Sequence, residues 1–406
     1  MRPAKIGDVA KVQSGFAFKS TTFKTSGIRL LRNTNILPKR VYWDDAAFLD
    51  EAEYQRYPDY QIKDGDVLIS LDRPIINSGF KVARVTKDDL PALLVQRVGR
   101  FVIDPLKGLP EYLYAFVQSN SFIGKVTGHD QSLGVPHISP TQVEAVELPL
   151  PSITRQEQMV ASINAQLVEA ELASIGIKAQ LHELQALSGA IYRQAYASIL
   201  PIATPHKLPE PPTGWRWRKL SHVARLESGH TPSRLRPDWW GGDISWLSLT
   251  EIRALDGRWV EETQLRTNRE GIANSAARVL PRGTVCLSRT ASVGFVAIMG
   301  KPMATSQDFA NWVCGECLDP DFLMHALIRS RASLREMAMG ATHKTIYMPA
   351  LESFHICAPD IYEQRRIAKD LKSQLAEIET LRVALTQCAQ DISALPQRIL
   401  ASAFEI

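Results

Sequence analysis

The sequence predicts an α+β protein in which two mixed α/β globular domains form a pseudo-repeat, separated by two long helices that pair as an antiparallel coiled coil. The stretch Ser152 to Ser198 reads as one amphipathic helix and recurs 208 positions later as Asp360 to Ile406. In that register Pro151, Gln156, Leu167 and Ile191 become Pro359, Gln364, Leu375 and Ile399. The segment before each copy is repeated too, and a chain of 406 residues exceeds the size at which one core stops growing.

Taken in order, the first globular domain is 1–151 and its counterpart is 215–359. Gly7 to Gly15 aligns with Ser221 to Gly229 at an offset of 214. Ile28, Leu31, Thr34 and Ile36 match Ile244, Leu247, Thr250 and Ile252 at 216, and Gly65, Val67 and Ser70 match Gly283, Val285 and Ser288 at 218. The offset then falls to 211 for Gln96 with Gln307 and to 208 for Ile138 with Ile346, as insertions and deletions in loops require. β-rich runs bounded by Gly, Pro and Asp predict strands at 66–70, 100–103 and 284–288. Helical patterns are at 111–119 and 321–335.

The first long helix is expected over 152–200. Val160, Ile163, Leu167, Ala170, Ser174, Ile177, Leu181, Leu184, Ser188, Ile191 and Ala195 alternate spacings of three and four, a heptad seam. At ~1.5 Å per residue such a helix is roughly 70 Å long, too long to lie on one small globule. A proline-rich linker is expected over 201–214, where Pro201, Pro205, Pro209, Pro211 and Pro212 forbid helix and favour a stiff, extended connector. The second helix, 360–406, carries the seam Ala368, Leu371, Leu375, Ile378, Leu385, Ala389, Ile392 and Ile399, interrupted by Arg382 and by Pro396, which is expected to kink or end it. Two such stripes are most simply buried against each other.

Composition is that of a soluble globular protein, with 45% hydrophobic and 22% charged residues. No apolar run approaches the ~18 residues of a membrane span, and the N-terminus lacks a signal-peptide core; a cytoplasmic location without membrane contact is expected. Five scattered cysteines fit a reducing compartment. Cys314 and Cys317 form one Cys-x-x-Cys without a second pair, so no metal site is predicted. A net charge of +4 permits nucleic acid as a partner without requiring it.

Catalytic signatures are missing. Gly294 to Gly300 with Lys301 has the wrong spacing for a phosphate-binding loop, and the sequence has no nucleophile elbow, no His-Glu-x-x-His and no dinucleotide fingerprint. It also lacks the Asn/Asp-Pro-Pro-Tyr/Phe run of amino-methyltransferases. The chain is therefore expected to catalyse nothing itself. A nuclease built on Asp64, Asp66 and Asp72 is a weaker reading, since carboxylates near a turn are common.

Polar and basic residues concentrate instead where loops are expected. The first domain offers Arg29, Arg32, Asn33 and Asn35, then Arg73, Asn77 and Lys81, then Gln96 and Arg97, then His129, Gln131 and His137. The second offers Thr231, Ser233, Arg234 and Arg236, then Arg289, Thr290 and Ser292, then Gln307, then His343, Lys344 and Thr345. Arg forks onto guanine or holds phosphate, Asn and Gln read adenine, and hydroxyls fix the register on phosphates. Each alone is an ordinary exposed side chain; as a set at corresponding places in both repeats they point to a DNA-facing surface. Trp239 and Trp240 are expected to pack on the core.

These features resemble the specificity (S) subunit of type I restriction-modification systems. The resemblance is carried by Trp215-x-Trp217-x-x-Leu220, Ser228-Gly229-x-Thr231-Pro232-Ser233, Trp240-Gly241-Gly242-Asp243-Ile244-x-Trp246, Gly283-Thr284-Val285, Ser306-Gln307 and Pro359-x-x-x-Glu363-Gln364-Arg365-Arg366-Ile367-Ala368. It implies that each globular half is a target recognition domain reading one half of a bipartite site on double-stranded DNA. It also implies that the helices set the unread spacer and dock two methyltransferase (M) subunits, restriction (R) subunits joining the full complex. S-adenosylmethionine, ATP and Mg are then expected on those partners and no cofactor on this chain, in a phage-defence complex acting as adenine methyltransferase and ATP-dependent endonuclease. The first repeat departs from the pattern, with Phe16-Ala17-Phe18-Lys19 after Ser14-Gly15 and no Trp-Gly-Gly run. The alternatives are a stand-alone bivalent DNA-binding protein and a coiled-coil protein-interaction scaffold.

Overall fold

The run Val67–Ser70 alternates between two cores, as side chains on a strand must. Val67 and Ile69 enter a core with Phe101, Phe116 and Phe122, while Leu68 enters another with Leu31, Ile36 and Leu94. Val285–Ser288 repeats the arrangement: Val285 and Leu287 join Trp312 and Phe322, and Cys286 joins Leu247, Met303 and Phe309. Burial on both faces explains why these runs are continuously apolar.

In a computed structural model describing residues 2–127, 137–340 and 344–404, the chain divides into two units. Unit one is Met1–Ala179 with Thr386–Ile406, and unit two is Gln180–Leu385. Each long helix thus contributes to both units, a division that the sequence boundaries at 151 and 359 do not express.

Unit one holds a four-stranded antiparallel sheet in the order Val82–Arg84, Val67–Ser70, Val98–Ile103, Ala10–Ser14. Unit two has the corresponding order Val296–Met299, Val285–Ser288, Phe309–Cys314, Ala224–Ser228, extended by an edge strand, Trp259–Val260. Arg2–Lys5 pairs with Glu147–Leu150 as Arg216–Lys219 pairs with His355–Ala358. The strand leading into each long helix therefore lies beside the strand that opens its domain.

The first long helix runs Ile153–Ala195 and the second Ile361–Phe404. In unit one Met159 and Ile163, near the start of the first, share a core with Leu400 and Phe404, at the end of the second. In unit two Tyr192, Ala195 and Tyr196, at the end of the first helix and just beyond it, share a core with Ile367, Ala368 and Leu371, near the start of the second. Buried Gln156 ties its helix to unit one: its amide nitrogen donates to the carbonyls of Lys107 and Pro151, and its oxygen accepts from the Leu109 amide. Gln364 does the same in unit two with Cys317, Pro359 and Asp319.

Four expectations are corrected. The first helix stops short of residue 200 because Ala197 and Ser198 turn left-handed, φ 46° and 64°, the Ser198 amide closing back on Arg193 at 2.6 Å. This is a glycine-type C-terminal turn without glycine. Pro396 lies inside the second helix, whose last turn is anchored by Leu400, by Phe404 against Tyr112 and Phe116, and by Gln397 donating to the Gln118 carbonyl. The linker starts extended, Ile202–Ala203 pairing with His355 and Ile356, but Pro205–Lys207 forms a 3-10 turn, proline being tolerated in a first turn. The 321–335 pattern is two helices, Pro320–Arg329 and Arg331–Glu336, broken at buried Ser330, whose hydroxyl accepts the Ile202 amide. Among the described residues no helix is long and apolar enough to cross a membrane.

Candidate nucleic-acid interface

In each unit three segments meet at the end of the central buried strand. In unit one the residues after Val67–Ser70 form a β-bridge, Asp72 with His137, next to the turn carrying Gln96 and Arg97. In unit two the bridge is Thr290 with Thr345, next to the turn carrying Gln307. Arg73 and Ala291 follow the bridge residues with φ 49° and 56°, so the two loops bend alike. A fourth segment closes on each site through the Ser-Gly pairs. A Cβ on Gly15 would lie 2.3 Å from the Val95 carbonyl oxygen, and one on Gly229 2.2 Å from that of Ser306. Only glycine permits that approach.

Unit one gathers Asn33, Lys81, Arg97 and His137 around Asp72. Arg97 Nη1 donates to Asp72 Oδ2 at 2.7 Å, and His137 Nδ1 lies 3.2 Å from Oδ1. Asn33 Nδ2 and Ser70 Oγ donate to the Asp72 carbonyl. Lys81 is buried, its ammonium 2.6 Å from the Asn33 carbonyl, so it braces the loop from beneath. Burial, partly offset by the Asp72 charge, holds that ammonium below its ordinary pKa. Arg73, Asn77 and Gln96 are exposed at the rim.

Three first-domain candidates make contacts within the domain. Arg29 donates to the carbonyls of Asp88 and Leu90 and lies over the Trp43 ring. Arg32 pairs with Asp45. Asn35 is fully buried, donating to the carbonyls of Tyr42 and Asp45. Of the carboxylates weighed as a nuclease, Asp66 accepts from the Lys63 amide and pairs with Arg100, whereas Asp72 serves the cluster above. His129, Gln131 and His343 lie outside the described residues.

In unit two Arg289 donates twice to the Gln307 carbonyl and once to that of Ile346, so it ties the Gln307 turn to the segment ending the domain. Gln307 is exposed and its oxygen accepts from Thr231 Oγ1 at 2.6 Å. Arg234 lies exposed over Trp240, 4.2 Å from the ring centre, and Trp240 meets Trp246 edge-on. Trp239 and Trp240 are half-buried, with Arg236 and Arg234 respectively over their rings. Arg236 is held in a two-point ion pair with Asp238. Ser233 and Lys344 are exposed, and Thr290, Ser292 and Thr345 are half-buried beside them.

Along the helices Ile163, Leu371 and Ile378 are buried. Leu167, Ile177, Leu181, Leu184, Ile191, Leu375, Leu385, Ile392 and Ile399 are half-buried. Arg382, in the same column, is exposed and ion-paired with Glu379. Val168, Leu172 and Ile175 form an exposed apolar stripe on another face of the first helix. Asp72 is the residue that sequence reasoning misplaced. Its partners could be found only by aligning it with Thr290 and His137 with Thr345, two different offsets.

The family model described as type I restriction modification DNA specificity domain matches residues 1–183 and again 212–386. The type I restriction enzyme EcoAI specificity subunit of Escherichia coli is 35% identical over 190 residues, 46% of this chain and 32% of that protein. The MjaVIII specificity subunit of Methanocaldococcus jannaschii is 30% identical over 165 residues, 40% of this chain and 38% of that protein. The matches thus span only about a third of these relatives' length. The crystal structure of the HsdS subunit from Thermoanaerobacter tengcongensis shares the fold, with a TM-score of 0.66 at 18% identity over 99% of this chain and 96% of that one. Since the family model matches twice, in the order of the internal repeat and over most of the sequence, the chain belongs to the family of type I restriction-modification specificity subunits.

Proposed function

We propose that this chain is the sequence-reading subunit of a type I restriction-modification complex, each globular domain reading one half of a bipartite site on double-stranded DNA. The two long helices set the unread spacer and dock two M subunits, and R subunits complete the assembly. The complex works in the cytoplasm as an adenine-specific methyltransferase and ATP-dependent endonuclease. S-adenosylmethionine, ATP and Mg are then bound by the partner subunits.

One observation carries this reading. The two units bring corresponding loops to the end of the same strand order, yet fill them with different side chains, Asp72 and His137 against Thr290 and Thr345. One frame with two sets of polar groups is what reading two unlike half-sites requires, by the logic that ties module spacing to half-site spacing. The exposed stripe Val168, Leu172 and Ile175 supports a protein partner on the helices. Phosphate contacts would supply salt-dependent affinity and base edges the discrimination.

The test is a single-molecule methylome of the source organism with the gene intact and deleted. A bipartite, asymmetric adenine-methylated motif is expected to vanish on deletion; its persistence would overturn the reading.

A further inference from the structure

Asp72 is a carboxylate set into the domain, largely away from solvent. It is 8% exposed, yet both basic side chains within 4 Å of its carboxylate belong to the surface: those of Arg97 and His137 are each 63% exposed. Oδ1 is buried and accepts no hydrogen bond among the described residues. A buried carboxylate is costly unless well paired, and pairing it with two surface groups adds nothing to the core. The backbone around it is held at further cost, since Arg73 and Arg97 both adopt left-handed φ, 49° and 75°, without being glycine. The outcome of these costs is the placement of Arg97. Its Nη1 is fixed on Asp72, while Nε and Nη2 donate no hydrogen bond among the described residues. A guanidinium clamped by one nitrogen, with its other edge open, is pre-organised for a planar two-acceptor partner such as the O6/N7 edge of guanine.

We propose that Asp72 is a positioning residue for one half-site: it does not touch DNA, but aims Arg97 at a base edge. This rests on the proposed function. Unit two has Thr290 and Thr345 at the corresponding bridge, so only one half of the target depends on such a buried charge.

The experiment uses the full chain co-expressed with its methyltransferase partner and a pool of duplexes with randomised bases, sequenced after selection. Wild type is expected to enrich a two-part motif. D72N is expected to relax preference roughly tenfold at one or two positions within one half, leaving the other half and the melting temperature unchanged. R97K, at an exposed position that keeps a cation beside Asp72, is expected to relax the same positions, and the double variant D72N/R97K no further. Full preference retained by D72N or by R97K would overturn the proposal. So would uniform weakening across all duplexes with a shallower salt dependence, which marks a phosphate contact, or relaxation by D72N beyond the positions that R97K affects. Failure of wild type to enrich any motif would instead overturn the function on which the proposal rests.

Discussion

Unit one and unit two solve the same docking problem with the same residue in one place and with exchanged residues in another. Gln156 and Gln364 make the same three hydrogen bonds. A few turns along the helices the identities diverge: Phe404 meets Tyr112 in unit one, and Tyr196 meets Phe322 in unit two. Leu400 and Ala115 occupy the places that Tyr192 and His325 hold in unit two, where the Tyr192 hydroxyl is 3.0 Å from His325 Nδ1. Where backbone amides and carbonyls must be satisfied, only one side chain has the right groups; where space must be filled, several combinations serve.

The largest expected effect tests the shared part. Gln156→Ala and Gln364→Ala each leave an amide and two carbonyls without partners in a buried place, a loss of about 4 kcal/mol in the unit concerned. Hydrogen exchange in Pro110–Val117 and Pro320–Arg329 separates the two units. Effects in the two units differing by more than about 2 kcal/mol would break the equivalence of the two locks.

The next effect sharpens the difference. Burial pushes the His325 imidazole down to about 4, against a smaller opposite pull from Asp321. The unfolded chain binds this proton below about pH 6.5 and the folded unit only below about pH 4. Unit two therefore loses stability as pH falls from 6.5 to 4, by about 3 kcal/mol in all, with no further loss below. Unit one has Ala115 at that place and no counterpart to this loss. Protection of Pro320–Arg329 should fall over that window in wild type and stay flatter in His325→Gln. An unchanged pH response in the variant would remove His325 as its cause.

At the candidate interface the contrast lies in what holds the turns. Arg289→Ala removes three hydrogen bonds to the Gln307 and Ile346 carbonyls, so it should cost about 2 kcal/mol and release the Gln307 turn. Lys344→Ala, at an exposed position, should melt within about 0.5 kcal/mol of wild type. It should also lower the salt slope of DNA binding by about one. Equal stability of both variants would mean that these hydrogen bonds do not hold the Gln307 turn.

Which parts were legible in the sequence follows from the distance over which the deciding contacts act. The helix register was readable because each copy carries its glutamine and seam at fixed spacing. The Ser-Gly pairs were readable because Gly15 and Gly229 press on a carbonyl that leaves no room for a side chain. Arg29 and Asn35 looked like surface readers because their partners are remote or unremarkable in sequence: Arg29 reaches Asp88 and Leu90, and Asn35 turns inward to Tyr42 and Asp45. The ends of the helices were misread for a similar reason. A left-handed turn at Ala197 and Ser198 has no glycine to announce it, and the helix runs past Pro396 to pack at Phe404.

The smallest effect addresses the exchanged aromatics. Tyr196 donates to the Phe322 carbonyl at 2.9 Å, whereas in unit one the hydroxyl sits on the other partner, Tyr112, which donates to the Pro149 carbonyl. Each pair thus has one phenol and one phenyl ring, with the phenol on opposite sides of the contact. If the phenol serves only to satisfy a carbonyl, Tyr196→Phe and Tyr112→Phe should each cost about 1 kcal/mol, with the edge-to-face packing intact. Denaturant unfolding of both variants checks this. A loss above about 3 kcal/mol in either unit would mean that the hydroxyl sets how the helix seats on its domain. The two aromatic pairs would then not be interchangeable fillings of one space.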